Sequence, residues 1–372
     1  MNSHMRVFFL VAGDESMAST RYRILNTLPF LEESEIVYEI VTRGEVDSNL
    51  SLAYRLYRES FQSDVIYIQK SLFPPLYWLP PIFYKILSVG PADIVYDFDD
   101  ALYTSRPWQD GIPTRSRIHL KSILSVASIV ITGNPTLSEY ARNYAEEVVC
   151  LPTPLPKKEY DKYITNASRT TDLVTMSWIG NTENLWYLYQ FEDAISTALS
   201  NHDNLNFQLI TDTADVNSLP FEEHRGNDVM YREWSMNKEL NLLTNADFVI
   251  RPLTHDEWTK GKGGYTSVVQ SMALGIPVIV SPVSMLCNLI THGESGFHAA
   301  TEYEWTEYIS ELVYCNDKRS QMGKNARQKI DDVGLWTKAY TRAIINVIQF
   351  ISGDSPNKLT ADKYAEDIIN CN

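Results

Sequence analysis

Short runs of β-branched and aromatic residues alternate along the chain with longer stretches whose apolar positions recur at helical spacing. This alternation predicts parallel sheets joined by crossover helices. The first half offers six strands: Val7–Ala12, Ile36–Thr42, Asp64–Gln69, Asp93–Phe98, Ser128–Thr132 and Val148–Leu151. The second half offers Leu173–Ile179, Asn206–Thr211, Val229–Trp234, Asp247–Leu253, Pro277–Ser281 and Gly296–Ala300. That count suits two Rossmann-like halves. The prolines of Pro152-Thr-Pro154-Leu-Pro156 cannot continue a helix or pair within a sheet, so the link between the halves begins there and runs on to about Thr171. The expected division is an N-terminal domain over 5–155, a linker over 156–171, a second domain over 172–335, and C-terminal helices over 336–372. Those last helices, with Trp336–Phe350 as a long amphipathic candidate, are expected to pack back toward the N-terminal domain.

Length supports two domains, because 372 residues exceed what one core usually holds. A hydrophobic fraction of 44% and a charged fraction of 21% are those of a soluble globular protein. The apolar run Arg6-Val-Phe-Phe-Leu-Val-Ala-Gly13 is too short for a signal peptide and reads as a first buried strand. No stretch of about 18 apolar residues is present to span a bilayer. Cys150, Cys287, Cys315 and Cys371 lie far apart, which excludes the common zinc spacings and fits a reducing compartment. A formal net charge of −15 argues against a general nucleic-acid binder, while leaving room for a local basic cleft. The expected location is the cytoplasm, with the inner face of the membrane as a second possibility.

In open α/β sheets ligands bind beyond the carboxyl ends of the strands. Two such sheets facing each other would frame one interdomain cleft, so candidate chemistry is sought in the loops after strands. The richest loop follows Leu253 and carries His255, Lys260, Gly261, Lys262, Gly263, Gly264 and Tyr265. A short helix is expected from Thr266 to Gly275, with the glycine as its stop. Free N–H groups at that helix start suit a diphosphate, the glycines allow close approach, and Lys262, then Lys260, would add charge. Gln270, one turn beyond Thr266, could hydrogen-bond ribose hydroxyls. A Gly-Lys loop with no ligand is the competing reading, since such loops are weak signals alone.

The wider context favours a ligand. Gln270-Ser-Met-Ala-Leu-Gly-Ile-Pro-Val-Ile279, followed by His292-Gly-Glu-Ser-Gly-Phe297, resembles the donor-domain signature of GT-B glycosyltransferases of family four. Ser19-Thr-Arg21-Tyr-Arg23, Ile94-Val-Tyr-Asp-Phe-Asp-Asp100, Thr132-Gly-Asn-Pro135, Ser177-Trp-Ile-Gly-Asn181 and Lys324-Asn-Ala-Arg327 are similar to motifs of one bacterial branch. The resemblance implies a GT-B fold and a nucleotide-sugar donor on the C-terminal domain. It further implies a saccharide, lipid-linked or protein acceptor, transfer with retention, and no metal or other cofactor. The sequence also departs from that family. Its two glutamates, separated by seven residues, correspond to Lys262 and Gln270, and its Arg/Lys pair after the first C-domain strand is replaced by Gly180-Asn181-Thr182-Glu183-Asn184. On this reading Lys262 neutralises the diphosphate with help from Gly180 and Asn181. The missing carboxylates also admit an inactive subunit that binds a glycan or a partner enzyme.

Other residues carry paired readings. Asp97-Phe-Asp99-Asp100 at a strand end superficially matches the Asp-x-Asp metal motif of GT-A enzymes, with Asp97 and Asp99 as ligands. The preferred reading makes Asp99 or Asp100 an acceptor-side base, against a mere helix cap. Gly13, Arg21 and Arg23 follow the first strand and could meet phosphate or an anionic acceptor, against surface ion pairing. Trp234 and Ser235 end a C-domain strand where a nucleotide base could stack, against a core tryptophan. His119, His202, His224, His292 and His298 read as surface or packing residues. The aromatic and proline-rich Leu72–Tyr84 reads as a core helix, or as a peripheral membrane patch. Oligomeric state is not legible.

Overall fold

Among the described residues twelve strands form where the apolar runs lie, in two six-stranded sheets. The structure, a computed structural model, describes residues 5–46, 48–70, 79–109, 111, 114–164, 172–212, 220–221, 228–353 and 364–366. Leu72–Trp78, the end of the expected linker at 165–171, and His224 lie outside the described residues.

The described chain divides into two compact units. Unit 1 comprises Met1–Pro156, Asp256–Gly264 and Gly334–Asn372, and unit 2 comprises Lys157–His255 and Tyr265–Val333. This differs from a division by simple boundaries, because the short segment Asp256–Gly264 is built into unit 1. Within the expected linker, Lys157–Tyr160 is a helical turn with Tyr160 buried. It is held on unit 2 by ion pairs of Lys157 with Asp331 and of Asp161 with Arg327, the latter at 2.6 Å. Those pairs, absent from any local pattern, make it part of a folded unit.

In unit 1 the strands β1 (Arg6–Val11), β2 (Val37–Thr42), β3 (Val65–Gln69), β4 (Asp93–Phe98), β5 (Ile129–Thr132) and β6 (Val148–Cys150) lie in the order β2-β1-β3-β4-β5-β6. Every pairing is parallel. Parallel strands are covered by helices on both faces, so they are apolar without alternation. β1 and β3 show this, with nearly every residue buried. The helix Thr337–Ile351 belongs to this unit, and Thr337 donates its N–H to Leu155 O at 2.9 Å.

In unit 2 the strands β7 (Val174–Ile179), β8 (Leu205–Thr211), β9 (Val229–Glu233), β10 (Phe248–Arg251), β11 (Val278–Val280) and β12 (Gly296–His298) lie in the order β12-β11-β10-β7-β8-β9, again all parallel. The strand order reverses direction between β7 and β10. A crevice opens at such a switch point, outside the carboxyl ends of the two strands. In unit 1 the same reversal falls between β1 and β3.

Candidate functional site

At the unit 2 switch point, β7 ends on Ile179 and β10 on Arg251. Arg251 is only 5% exposed. One Nη donates to Ile179 O at 3.2 Å, and the guanidinium lies 5.7 Å from the centre of the Trp178 ring. Its Nε has no hydrogen-bond partner, and among the described residues no carboxylate pairs with it. Burial therefore dominates and pulls its pKa down to about 10, with only the Tyr187 and Tyr265 phenols acting the other way. Gly180 follows directly, and a Cβ there would stand 2.6 Å from the Trp178 ring and 3.2 Å from Arg251 Nη1. Asn181 is exposed and turns the chain, its Oδ1 accepting the Asn184 N–H at 3.2 Å.

A second corner of unit 2 gathers residues far apart in sequence. Trp234 extends β9 by donating its N–H to Thr211 O at 2.8 Å, and Ser235 opens the next turn by accepting the Glu239 N–H at 3.0 Å. Trp234 Nε1 then donates to one oxygen of Glu239 at 3.0 Å, while Gln270 Nε2 meets the other at 3.4 Å. Glu239 and Gln270 are both buried. The sequence places no carboxylate at position 270, yet folding brings one alongside it from 31 residues away. No spacing rule along the chain could have revealed Glu239.

The expected short helix is present as Thr266–Ala273. It begins after Tyr265, a buried residue in the left-handed region with φ 45°. For a side-chain-bearing residue that conformation costs roughly 1–2 kcal/mol, and surrounding packing must hold it. The helix closes as anticipated at Gly275, whose φ of 74° lets Ile276 N–H reach back to Ser271 O at 2.9 Å. His255 stands exposed at the end of a unit 2 segment.

The loop between them differs from a simple glycine-rich loop. Asp256 caps a helical turn over Glu257–Lys260, accepting the Thr259 N–H at 2.9 Å. Trp258 lies in the apolar core of unit 1 with Ala101 and Leu137, and Arg106 lies over its ring at 5.4 Å. Lys260 is exposed and Lys262 half-buried. The Lys262 carbonyl accepts from Asn134 Nδ2 at 3.1 Å, and the Gly263 N–H donates to Asp100 Oδ1 at 2.9 Å. A Cβ on Gly263 would stand 2.6 Å from the Asp99 carbonyl, so only glycine admits this approach. Gly264 closes the segment beside Thr153. The expected donor loop is thus shared: Lys260 to Gly264 are anchored in unit 1, and Tyr265, Thr266 and Gln270 in unit 2.

Unit 1 carries its own charged cluster at the carboxyl ends of β3 and β4. Lys70, missed in the sequence reading although it directly follows β3, has φ 51° and donates its N–H to Asp97 O at 2.7 Å. Its Nζ lies 2.6 Å from Asp99 Oδ1 and 2.5 Å from Asp100 Oδ2. Burial pushes Asp99 above the usual carboxylate range despite Lys70. Burial would raise Asp100 too, but the Lys70 charge and bond outweigh it, and the Gly263 N–H and Lys262 charge add to the lowering. Burial alone would lower Lys70, yet the two carboxylates hold it well above its ordinary value.

Three sequence expectations change here. Arg23 is fully buried, with Nη2 at 2.5 Å from Asp97 Oδ1 and Nη1 on Leu151 O at 2.8 Å, so its donors are committed within unit 1. Arg21 is buried rather than on the surface, its guanidinium 4.6 Å from the Tyr22 ring centre and one Nη donating to the Tyr22 hydroxyl at 3.2 Å. Asp97 serves Arg23 and the Tyr67 hydroxyl, the latter at 3.0 Å, and Asp99 serves Lys70, so Asp97 and Asp99 do not form the open carboxylate pair of a GT-A metal site. Gly13 is half-buried beyond β1. Among the other histidines, His119 is buried against Tyr84 and His202 bonds Ser310 Oγ at 2.8 Å. His298 donates its N–H to His292 Nδ1 at 3.1 Å.

Residues 225–329, which include β9, Glu239, β10, Arg251 and Gln270, match the family described as Glycosyl transferases group 1. No curated protein matches the chain. Among solved structures, HepE from Anabaena in complex with UDP is 15% identical, with 93% of this chain and 100% of that one covered at a TM-score of 0.65. Sucrose-phosphate synthase from Thermosynechococcus elongatus is 13% identical, with 94% and 100% covered at 0.69. A glycosyltransferase from Rickettsia africae is 11% identical, with 95% and 100% covered at 0.65. At such identities the likeness is one of fold. The fold is GT-B, two parallel six-stranded sheets flanked by helices. The segment that matches Glycosyl transferases group 1 lies mostly in unit 2, with Asp256–Gly264 in unit 1.

Proposed function

We propose that the protein transfers a sugar from a nucleoside-diphosphate-sugar to a saccharide, lipid-linked or protein acceptor, without a metal and with retention of configuration. The observation that carries this reading is Arg251. A buried cation with no carboxylate partner among the described residues stands at the switch point of the sheet within the matched segment, where an anion would complete it. In this reading Arg251 faces the diphosphate, and the N–H groups at the start of Thr266–Ala273 share its charge. Trp234, Glu239 and Gln270 hold the nucleoside, the carboxylate and amide bonding ribose hydroxyls. Glu239 returns a carboxylate where family four would have one, which weakens the inactive-subunit reading. Lys262 adds charge, and Asp99, raised by burial, serves as base toward an acceptor hydroxyl on unit 1.

HepE is known in complex with UDP, glucose and UDP-glucose, so uridine nucleotides are the first donors to try. Thermal shift and donor turnover with UDP-glucose, GDP-mannose and UDP test the reading, with and without EDTA. A ligand of the native state raises the melting temperature in proportion to RT ln(1 + [L]/Kd). At least one nucleotide is expected to raise it, with no loss in EDTA. No shift with any of them would sink the proposal, and a shift that needs Mn²⁺ would remove its metal independence.

A further inference from the structure

Unit 1 exposes apolar side chains in a helical pattern that its own core does not use. On the helix Asn49–Gln62, Leu52 and Leu56 face the core, while Leu50, Tyr54, Tyr57 and Phe61 are exposed, Leu50 by 78% and Tyr54 by 69%. Their spacing of four, three and four places them in one stripe along the helix. The neighbouring helix Leu79–Leu87 repeats the arrangement, burying Tyr84 and Leu87 and exposing Ile82, Ile86 and, just beyond it, Val89 at 77%. The two helices are in contact, and just beyond the second the Ala92 N–H donates to Ser60 O at 3.2 Å. Scattered apolar residues on a surface are ordinary, but two adjacent stripes mark a contact face.

The charge around this face singles out the partner. Across these two helices and the next, Thr114–Leu124, Glu59 is the one acidic residue in the sequence, and its side chain is fully buried between Arg58 and Arg6. Arg55, Arg58, Lys85, Arg117 and Lys121 are basic, Arg55 pairing with Glu39 of β2 and Arg58 with Glu59, so that the face keeps an excess of positive charge on a chain whose net charge is −15. A second copy docking here through a two-fold axis would set these like charges against each other. We infer that this face rests on an anionic lipid bilayer, with the aromatic and aliphatic stripes entering the headgroup boundary and the basic residues meeting lipid phosphates. The surface differs from the sequence expectation for Leu72–Tyr84, since Tyr84 itself points into the core. The inference does not depend on the proposed donor chemistry.

Flotation of the full chain with vesicles tests it, using phosphatidylcholine alone or mixed with phosphatidylglycerol. Binding is expected with the anionic vesicles, falling as salt rises. A triple variant, Tyr54→Ser with Tyr57→Ser and Phe61→Ser, should bind at least about tenfold more weakly, given the apolar area removed. Its melting temperature should stay near that of the parent, because those side chains are exposed. Lys85→Glu should weaken binding a few-fold, on the order of one basic residue's contribution. Absence of flotation with anionic vesicles, or equal flotation of the triple variant, would overturn the inference. So would a dimer, seen by sedimentation, that the triple variant dissociates.

Discussion

Two buried arginines, Arg23 on the helix Ala18–Arg23 of unit 1 and Arg251 at the end of β10 in unit 2, have opposite surroundings. Arg23 is enclosed with Asp97, and although burial alone would lower its pKa, that carboxylate holds it well above the ordinary value. Arg251 is nearly as buried, has no such partner among the described residues, and titrates lower than a free guanidinium. A charge taken from water costs several kcal/mol unless it is paired and hydrogen-bonded. Unit 1 meets that cost internally with Asp97, Tyr67 and Leu151 O, and does the same for Lys70 with Asp99 and Asp100. Unit 2 leaves it open beside Gly180, where a ligand's phosphates would meet it. Arg23, fully neutralised, holds the scaffold together, whereas the incomplete surroundings of Arg251 are what the proposed donor site rests on.

The contrast can be broken in order of expected size. Asp97→Asn should destabilise unit 1 by about 3–5 kcal/mol, because Arg23 is left buried and uncompensated. Chemical denaturation checks this, and a loss under about 1 kcal/mol would show that the pair is dispensable. Arg251→Met should leave stability unchanged or improved, because a buried charge is replaced by a side chain of similar length. The same variant should weaken nucleoside-diphosphate binding by about 10- to 100-fold, the worth of a charged hydrogen bond. Calorimetric titration with UDP and with uridine separates the cases, since uridine affinity should hardly change. Glu239→Gln should produce a smaller loss, about three- to tenfold, seen with both UDP and uridine.

The smallest expected effects concern pH. Asp99 is raised, so its base form appears only as pH climbs above the ordinary carboxylate range, and turnover should rise through that folded value. Lys70→Met removes the charge that favours ionised Asp99, so the acid limb of the profile should move to higher pH. An unmoved limb would exclude Asp99 as the titrating base. Asp100 has the opposite sign. Its lowered folded pKa contributes stability above the unfolded value, which is lost as pH falls through the folded one.

Strands were legible because parallel sheets demand continuous apolar runs, and β4 and β7 fall within a residue of their expected bounds. The stop at Gly275 was legible because a left-handed helix end favours glycine. Arg23 and Asp97 were not legible as a pair, since they lie 74 residues apart and join only through the sheet order. Glu239 escaped for the same reason. The anchoring of the Lys262 loop in unit 1 was not legible, because Trp258 packs there and Gly263 bonds Asp100 across 163 residues of sequence. Local composition reports backbone freedom, but only tertiary structure decides which unit uses it.

That segment also has a consequence for synthesis. As the chain leaves the ribosome, the strands of unit 1 come first, yet their apolar surface waits for Trp258 and then for the helix Thr337–Ile351. Most of unit 2 is translated in that interval and can fold while its elder neighbour is incomplete. The first strands made therefore belong to the unit that is finished last.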